Sequence, residues 1–87
     1  MHGIILGQNV PNPASEQTYI PFHIPDAGLV TFKISSIEGQ VIHTESKQYD
    51  MGDHRFIFNT QSLANGIYFY QLYFNDVILS KKMVIQK

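Results

Sequence analysis

Leu29-Val30-Thr31-Phe32-Lys33-Ile34-Ser35-Ser36 alternates without a break, with Val30, Phe32 and Ile34 on one side and Thr31, Lys33 and Ser35 on the other. Successive side chains of a strand point to opposite faces, so this stretch has one apolar and one polar face. It predicts a strand half-buried over a core. It also sets the period to look for on either side, because helical periodicity is nowhere sustained in the chain.

Toward the C-terminus, Ile37-Glu38-Gly39-Gln40 predicts a turn into Val41 to Gln48, where His43, Glu45 and Lys47 suggest a more exposed strand. Tyr49 to Asp53 is a looser loop, after which His54, Phe56 and Phe58 alternate against Arg55, Ile57 and Asn59, the first set toward the core. Gly66 opens a strand from Ile67 to Phe74. Tyr68, Tyr70 and Leu72 share one of its faces, and aromatics on both faces suggest a central strand. Asn75-Asp76 tolerates left-handed backbone and predicts a hairpin into a last strand, Val77 to Gln86.

Toward the N-terminus, Ile20, Phe22 and Ile24 alternate with Tyr19, Pro21 and His23 between Gln17 and Ile24. Pro21 cannot donate to a ladder, which predicts an edge strand or a proline beside a break in pairing. Pro25-Asp26-Ala27-Gly28 has the chemistry of a turn and predicts a hairpin into Leu29. Pro11 and Pro13 predict a stiff, extended lead-in to the domain. With a short run at Ile4-Ile5-Leu6, about seven strands recur at intervals of about ten residues, the pattern of an all-β, antiparallel sandwich of Ig-like or fibronectin type.

Eighty-seven residues, 44% hydrophobic and 13% aromatic, suit one domain with one core. We take residues 1–87 as a single β-sandwich domain, with residues 1–7 as linker or as an artificial start from Met1-His2-Gly3 that would make the chain a piece of a longer one. So short a chain buries about 60–65% of its unfolded surface, which calls for large core side chains, and six Phe and five Tyr supply them. Six Lys and Arg against seven Asp and Glu leave a net charge of −1. That gives no electrostatic drive toward nucleic acid or anionic lipid, and no apolar run is long enough to insert in a membrane. The absence of Cys excludes disulfides, thiolate metal sites and a thiol nucleophile.

Little in the chain points to catalysis, a cofactor or a metal. His2, His23, His43 and His54 form no pair at ligand spacing on one element, and no Ser lies in a nucleophile elbow. Asp50 and Asp53 offer fewer oxygen ligands than a calcium ion takes. Tyr68, Phe69, Tyr70 and Tyr73 could stack on a sugar or a base, although strand aromatics more often serve core or interface. Leu63 to Tyr68 has the look of a tyrosine corner, with the Tyr68 hydroxyl bonding back to loop backbone.

Val10-Pro11-Asn12-Pro13, Ile20 to Gly28, Gly39-Gln40-Val41-Ile42, Leu63 to Leu72 and Lys81-Lys82-Met83-Val84-Ile85 follow one another in an order that is similar to one family. From about Gly7 to Lys87 the chain resembles the type A C-terminal sorting domain of the type IX (Por) secretion system of Bacteroidetes. It departs at Gly39-Gln40, where the family often carries Gly-Arg or Gly-Lys, and at Ala14-Ser15-Glu16, which lacks the aromatic common after Pro-Asn-Pro.

The resemblance implies a non-enzymatic signal at the end of a larger exported protein, which crosses the periplasm and ends at the cell surface or outside the cell. Its implied partners are the type IX translocon, the upstream cargo and a sortase-like surface protease that cuts before about Gly7. The cargo would then be anchored to lipopolysaccharide or released. Carried over by motif, the recognition residues are Pro11, Asn12, Pro13, Gly39, Gly66, Tyr68, Lys81, Lys82, Met83, Val84 and Ile85. A last strand with two lysines could also resist random pairing yet add to a partner's sheet. The competing reading is an Ig-like accessory module that binds carbohydrate or spaces the domains of a larger secreted enzyme.

Overall fold

The computed structural model of the chain describes residues 3–87. Its strands are β1 (Ile5–Leu6), β2 (Gln17–Ile24), β3 (Gly28–Ser36), β4 (Val41–Tyr49), β5 (Gly52–Asn59), β6 (Gly66–Phe74) and β7 (Val77–Ile85). All pairings between these strands are antiparallel. They form a three-stranded sheet ordered β1-β2-β5 and a four-stranded sheet ordered β4-β3-β6-β7. The fold is an all-β sandwich, as the alternation predicts.

The inner faces are the apolar registers of the sequence. Ile20, Phe22 and Ile24 of β2 and Phe56 and Phe58 of β5 meet Val30, Phe32 and Ile34 of β3 and Tyr68, Tyr70, Leu72 and Phe74 of β6. Aromatic pairs join the sheets: Phe32 stacks on Phe56 at 4.4 Å and 11°, and meets Phe22 edge-on at 5.2 Å. Each such side chain contributes about 1.5–3 kcal/mol by leaving water, and the aromatic geometry adds to that. Strand β4 is exposed along nearly its whole length, as its polar content suggests.

Two expectations of topology need correction. The Pro25–Gly28 segment is not a hairpin: β2 and β3 lie in different sheets, so it carries the chain across the sandwich. A Cβ on Gly28 would stand 2.8 Å from Phe74 Cε1 on the neighbouring strand β6, so the glycine leaves room for that core ring where β3 begins. Nor does Pro21 mark an edge, because β2 lies between β1 and β5.

The second half of the proline argument does hold. The Pro21 carbonyl accepts from the Gly7 amide at 2.8 Å, so the missing donor faces the segment that continues β1. There the Gly7 carbonyl receives the Tyr70 hydroxyl instead, at 2.8 Å, and that hydroxyl accepts in turn from the Asn9 amide at 3.0 Å. Tyr70 is fully buried, at 0% exposure. One phenol from the four-stranded sheet thus satisfies the Gly7 carbonyl that the proline leaves open in the other sheet, and takes the Asn9 amide as well.

Desolvation pushes the Tyr70 phenol up to about 12, opposed by the Asn9 backbone bond. A folded value above the ordinary one means that the fold holds the protonated phenol. Its contribution is complete below pH 10 and is lost as the pH rises from 10 through about 12. Replacing Tyr70 by Phe should cost about 1–3 kcal/mol in urea unfolding at pH 7, because a buried carbonyl and amide lose their partner. The wild type should lose part of that advantage over Tyr70→Phe between pH 10 and 12. Equal stability of the two proteins at pH 7 would contradict this role.

Candidate functional site

The segment before β2 switches sheets. Val10 pairs with Tyr19 through bonds of 2.8 and 2.9 Å, placing it on the three-stranded sheet. Ala14 lies parallel to Ile85 on the free side of β7: its amide donates to the Val84 carbonyl and its carbonyl accepts from the Gln86 amide, both at 2.8 Å. Pro11-Asn12-Pro13 therefore spans the gap between the sheets. The extended lead-in expected from the prolines is instead bent, since its two ends belong to different sheets, and the Val10-Pro11 and Asn12-Pro13 peptides are cis.

Buried polar groups fix this bend from beneath. The Pro11 carbonyl accepts from Asn9 Nδ2 and from Thr18 Oγ1, each at 3.0 Å, and Asn9 Nδ2 also reaches Thr18 Oγ1 at 3.1 Å. Gln8 Nε2 donates to Asn9 Oδ1 at 2.7 Å. Asn9 and Thr18 are buried, and a buried polar atom left unpartnered costs about 1–3 kcal/mol. Among the described residues no buried side-chain polar atom lacks a partner.

The bent segment closes on β7. Asn12 Oδ1 accepts the Val84 amide at 2.9 Å, and Gln8 Nε2 donates to the Lys82 carbonyl at 2.8 Å. Met83 and Ile85 project into the core, Lys82 is exposed on the opposite face, and Lys81 and Val84 are half-buried. Asn12 and Val84, 72 residues apart, are thus bonded directly. The outer edge of β7 is covered by the chain's own segment from Lys82 to Gln86, which narrows the expectation that a partner's strand adds there. Ile78 and Ser80 point their backbone groups the same way and have no backbone partner among the described residues.

Gly39, Gly66 and Tyr68 gather at the same end of the four-stranded sheet as Ile85. Ser36 is paired with Tyr68 and Gly66 with Ile85, and Gly39 turns the chain just past Ser36. Gly39 at φ +93° and Gly66 at φ +155° adopt backbone that favours glycine. The Tyr68 hydroxyl donates to the Ala64 carbonyl at 2.7 Å, the backward bond expected of it. Lys87 anchors the loop before β6, its amide on Asn65 Oδ1 at 3.0 Å and its Nζ on the Gln61 and Leu63 carbonyls at 2.6 and 2.5 Å.

The remaining polar candidates stay apart. His23 Nδ1 meets Asp53 Oδ1 at 2.7 Å on the outer face of the three-stranded sheet, His43 Nε2 meets Glu45 Oε1 at 3.0 Å, and His54 Nε2 meets the Asp50 carbonyl at 2.6 Å. No three His, Asp or Glu among the described residues could share a metal ion. His2 lies outside the described residues.

Residue-by-residue reading missed the roles of Gln8, Asn9, Ala14, Thr18 and Tyr70, the last of which is buried rather than free to stack on a sugar or a base. Thr18 alone carried a signal: it falls on the inward register of β2 with Ile20, Phe22 and Ile24, where a polar side chain needs a buried partner.

The chain is thus an all-β sandwich whose leading segment is bonded to its last strand. A family model described as a secretion system C-terminal sorting domain matches residues 10–86 of the 87. The chain belongs to this family, the C-terminal sorting domains of type IX secretion. No curated protein matches it. The family gives it the role of a sorting signal, attached to an upstream cargo, that interacts with the type IX machinery during export to the cell surface or beyond, and suggests a non-enzymatic role.

Changing Asn12 to Ala should free the Val84 amide. Its hydrogen exchange should quicken severalfold, in line with the about 0.5–1.5 kcal/mol of an ordinary hydrogen bond, while amides in the centre of β3 keep their protection. Unchanged exchange at Val84 would show that Asn12 does not hold the strand.

Proposed function

We propose that this domain directs a larger cargo through the type IX outer-membrane translocon, and that the translocon reads the junction of Pro11, Asn12 and Pro13 with Lys81 to Ile85. The single observation that carries this reading is the Asn12–Val84 hydrogen bond, reinforced by the Ala14–Ile85 bridge. Both motifs lie within the family match, and this contact makes them one surface. Gly39, Gly66 and Tyr68 support the same end of the sheet by setting its turns and its corner. Lys82 is the exposed cation of the junction, and Lys81 lies at its rim.

In this reading the cargo crosses the periplasm with the sandwich folded behind it. At the surface a sortase-like protease cuts before about Gly7, and the cargo is anchored or released. The core, the Tyr70 bonds and the buried Asn9–Thr18 contact hold the recognised surface in shape.

The test fuses residues 1–87 to an inert reporter that carries an inner-membrane export signal, in a host competent for type IX secretion. The reporter should reach the cell surface or the medium. Replacing Lys81 and Lys82 together by Ala should leave a folded fusion in the periplasm, because neither side chain belongs to the core cluster. A wild-type fusion that stays periplasmic while an established sorting domain exports the same reporter would refute the proposal.

A further inference from the structure

The outer face of the four-stranded sheet carries a distribution of groups that extends beyond the sorting junction, which it meets only at Lys82. Strand register places Thr31, Lys33 and Ser35 of β3 beside Tyr73, Gln71 and Phe69 of β6, and these beside Ile78, Ser80 and Lys82 of β7. Phe69 is 38% exposed and Tyr73 half-buried, on the solvent side of the strand whose other face builds the core. The Tyr73 hydroxyl donates to Gln71 Oε1 at 3.0 Å, and Lys33 Nζ stands 5.9 Å from the Tyr73 ring centre. Among the described residues neither Lys33 nor Lys82 has a carboxylate partner, since the ion pairs all involve histidine.

Charge is segregated across the molecule. Glu16, Asp26, Glu38, Asp50 and Asp76 lie in loops and turns, Asp53 is on the outer face of the three-stranded sheet, and Glu45 shares the inward register of β4 with His43 and Lys47. The outer face of the four-stranded sheet holds two lysines and no acid, within a chain of net charge −1. Concavities lie beside Pro21 and Arg55, beside Tyr19 and Ile57, near Lys87, and along the β4–β5 side, away from this face. What remains is a flat surface that combines two rings, a fixed amide, several hydroxyls and two uncompensated ammonium groups.

We propose that this face binds an acidic polysaccharide, a chain of uronic acid residues laid across Phe69 and Tyr73 with its carboxylates toward Lys33 and Lys82. A sugar ring has an apolar C–H face and a rim of hydroxyls, which suits an aromatic ring flanked by Gln71, Thr31 and Ser35. The lysines select for carboxylates, and the flatness favours an extended polymer over a small ligand. An acidic peptide would satisfy the lysines but has no need of the two rings.

The test titrates the 87-residue chain with hexagalacturonate, cellohexaose and hexaglutamate by calorimetry and amide chemical shift. Hexagalacturonate should bind with a Kd below about 1 mM and shift the amides around Phe69, Gln71 and Tyr73, while the other two probes should not. Phe69→Ala and Tyr73→Ala should each weaken binding about tenfold, and Lys33→Gln, which removes the charge and leaves a polar side chain on the strand, should weaken it severalfold. Lys47→Gln removes a lysine that lies over Tyr49, away from this face, and should have no effect. Equal binding of hexaglutamate, no binding of hexagalacturonate, or binding unchanged in Lys33→Gln would each overturn the proposal. Phe69, Tyr73 and Lys33 lie outside the sorting junction, so export can fail or succeed independently of this result.

Discussion

Much of this structure depends on a vacancy in a hydrogen-bond ladder. Pro21 stands in the middle strand of the three-stranded sheet, with its missing amide facing Gly7. A central strand tolerates that only if something else satisfies the opposite carbonyl. The Tyr70 hydroxyl does so from the other sheet, and by accepting from Asn9 it also fixes where the chain leaves that strand. Gly7 must be glycine for the same reason, because a Cβ there would stand 2.7 Å from Pro21 Cγ. From this point the path of Asn9, Pro11 and Asn12 to the last strand is determined.

The alternation at Val30, Phe32 and Ile34, and its counterparts in the other long strands, made the strands and their inward faces legible because period-2 burial is a local property of sequence. Which sheet a strand joins is not local. Pro25-Asp26-Ala27-Gly28 has the same turn chemistry whether it closes a hairpin or crosses the sandwich, and only the pairing of β3 with β4 and β6, and of β2 with β1 and β5, separates the two. Pro21 likewise announced a missing donor without saying what would replace it. The replacement is 49 positions further along the chain, on Tyr70, which reads as an ordinary core aromatic.

The motifs of the candidate site were legible one by one, but their assembly was not. Pro-Asn-Pro and Lys-Lys-Met-Val-Ile stand near opposite ends of the chain, and nothing in either predicts that Asn12 accepts from Val84. That contact makes the junction depend on the whole fold: Val84 is positioned by β6, and Asn12 by Asn9, Thr18 and the bridge at Ala14. A signal built this way is complete only when the domain has folded. On this account a translocon that reads it tests the folded state of the passenger's last domain as well as its sequence.

Site-specific photo-crosslinking during export tests that account most directly. A benzoylphenylalanine at Lys82 or Gln86, on either side of the Asn12–Val84 bond, should give adducts with the outer-membrane translocon, and one at Thr44 or Ser46 on β4 should not. Adducts from β4 with none from Lys82 or Gln86 would place recognition on another surface and contradict the central claim.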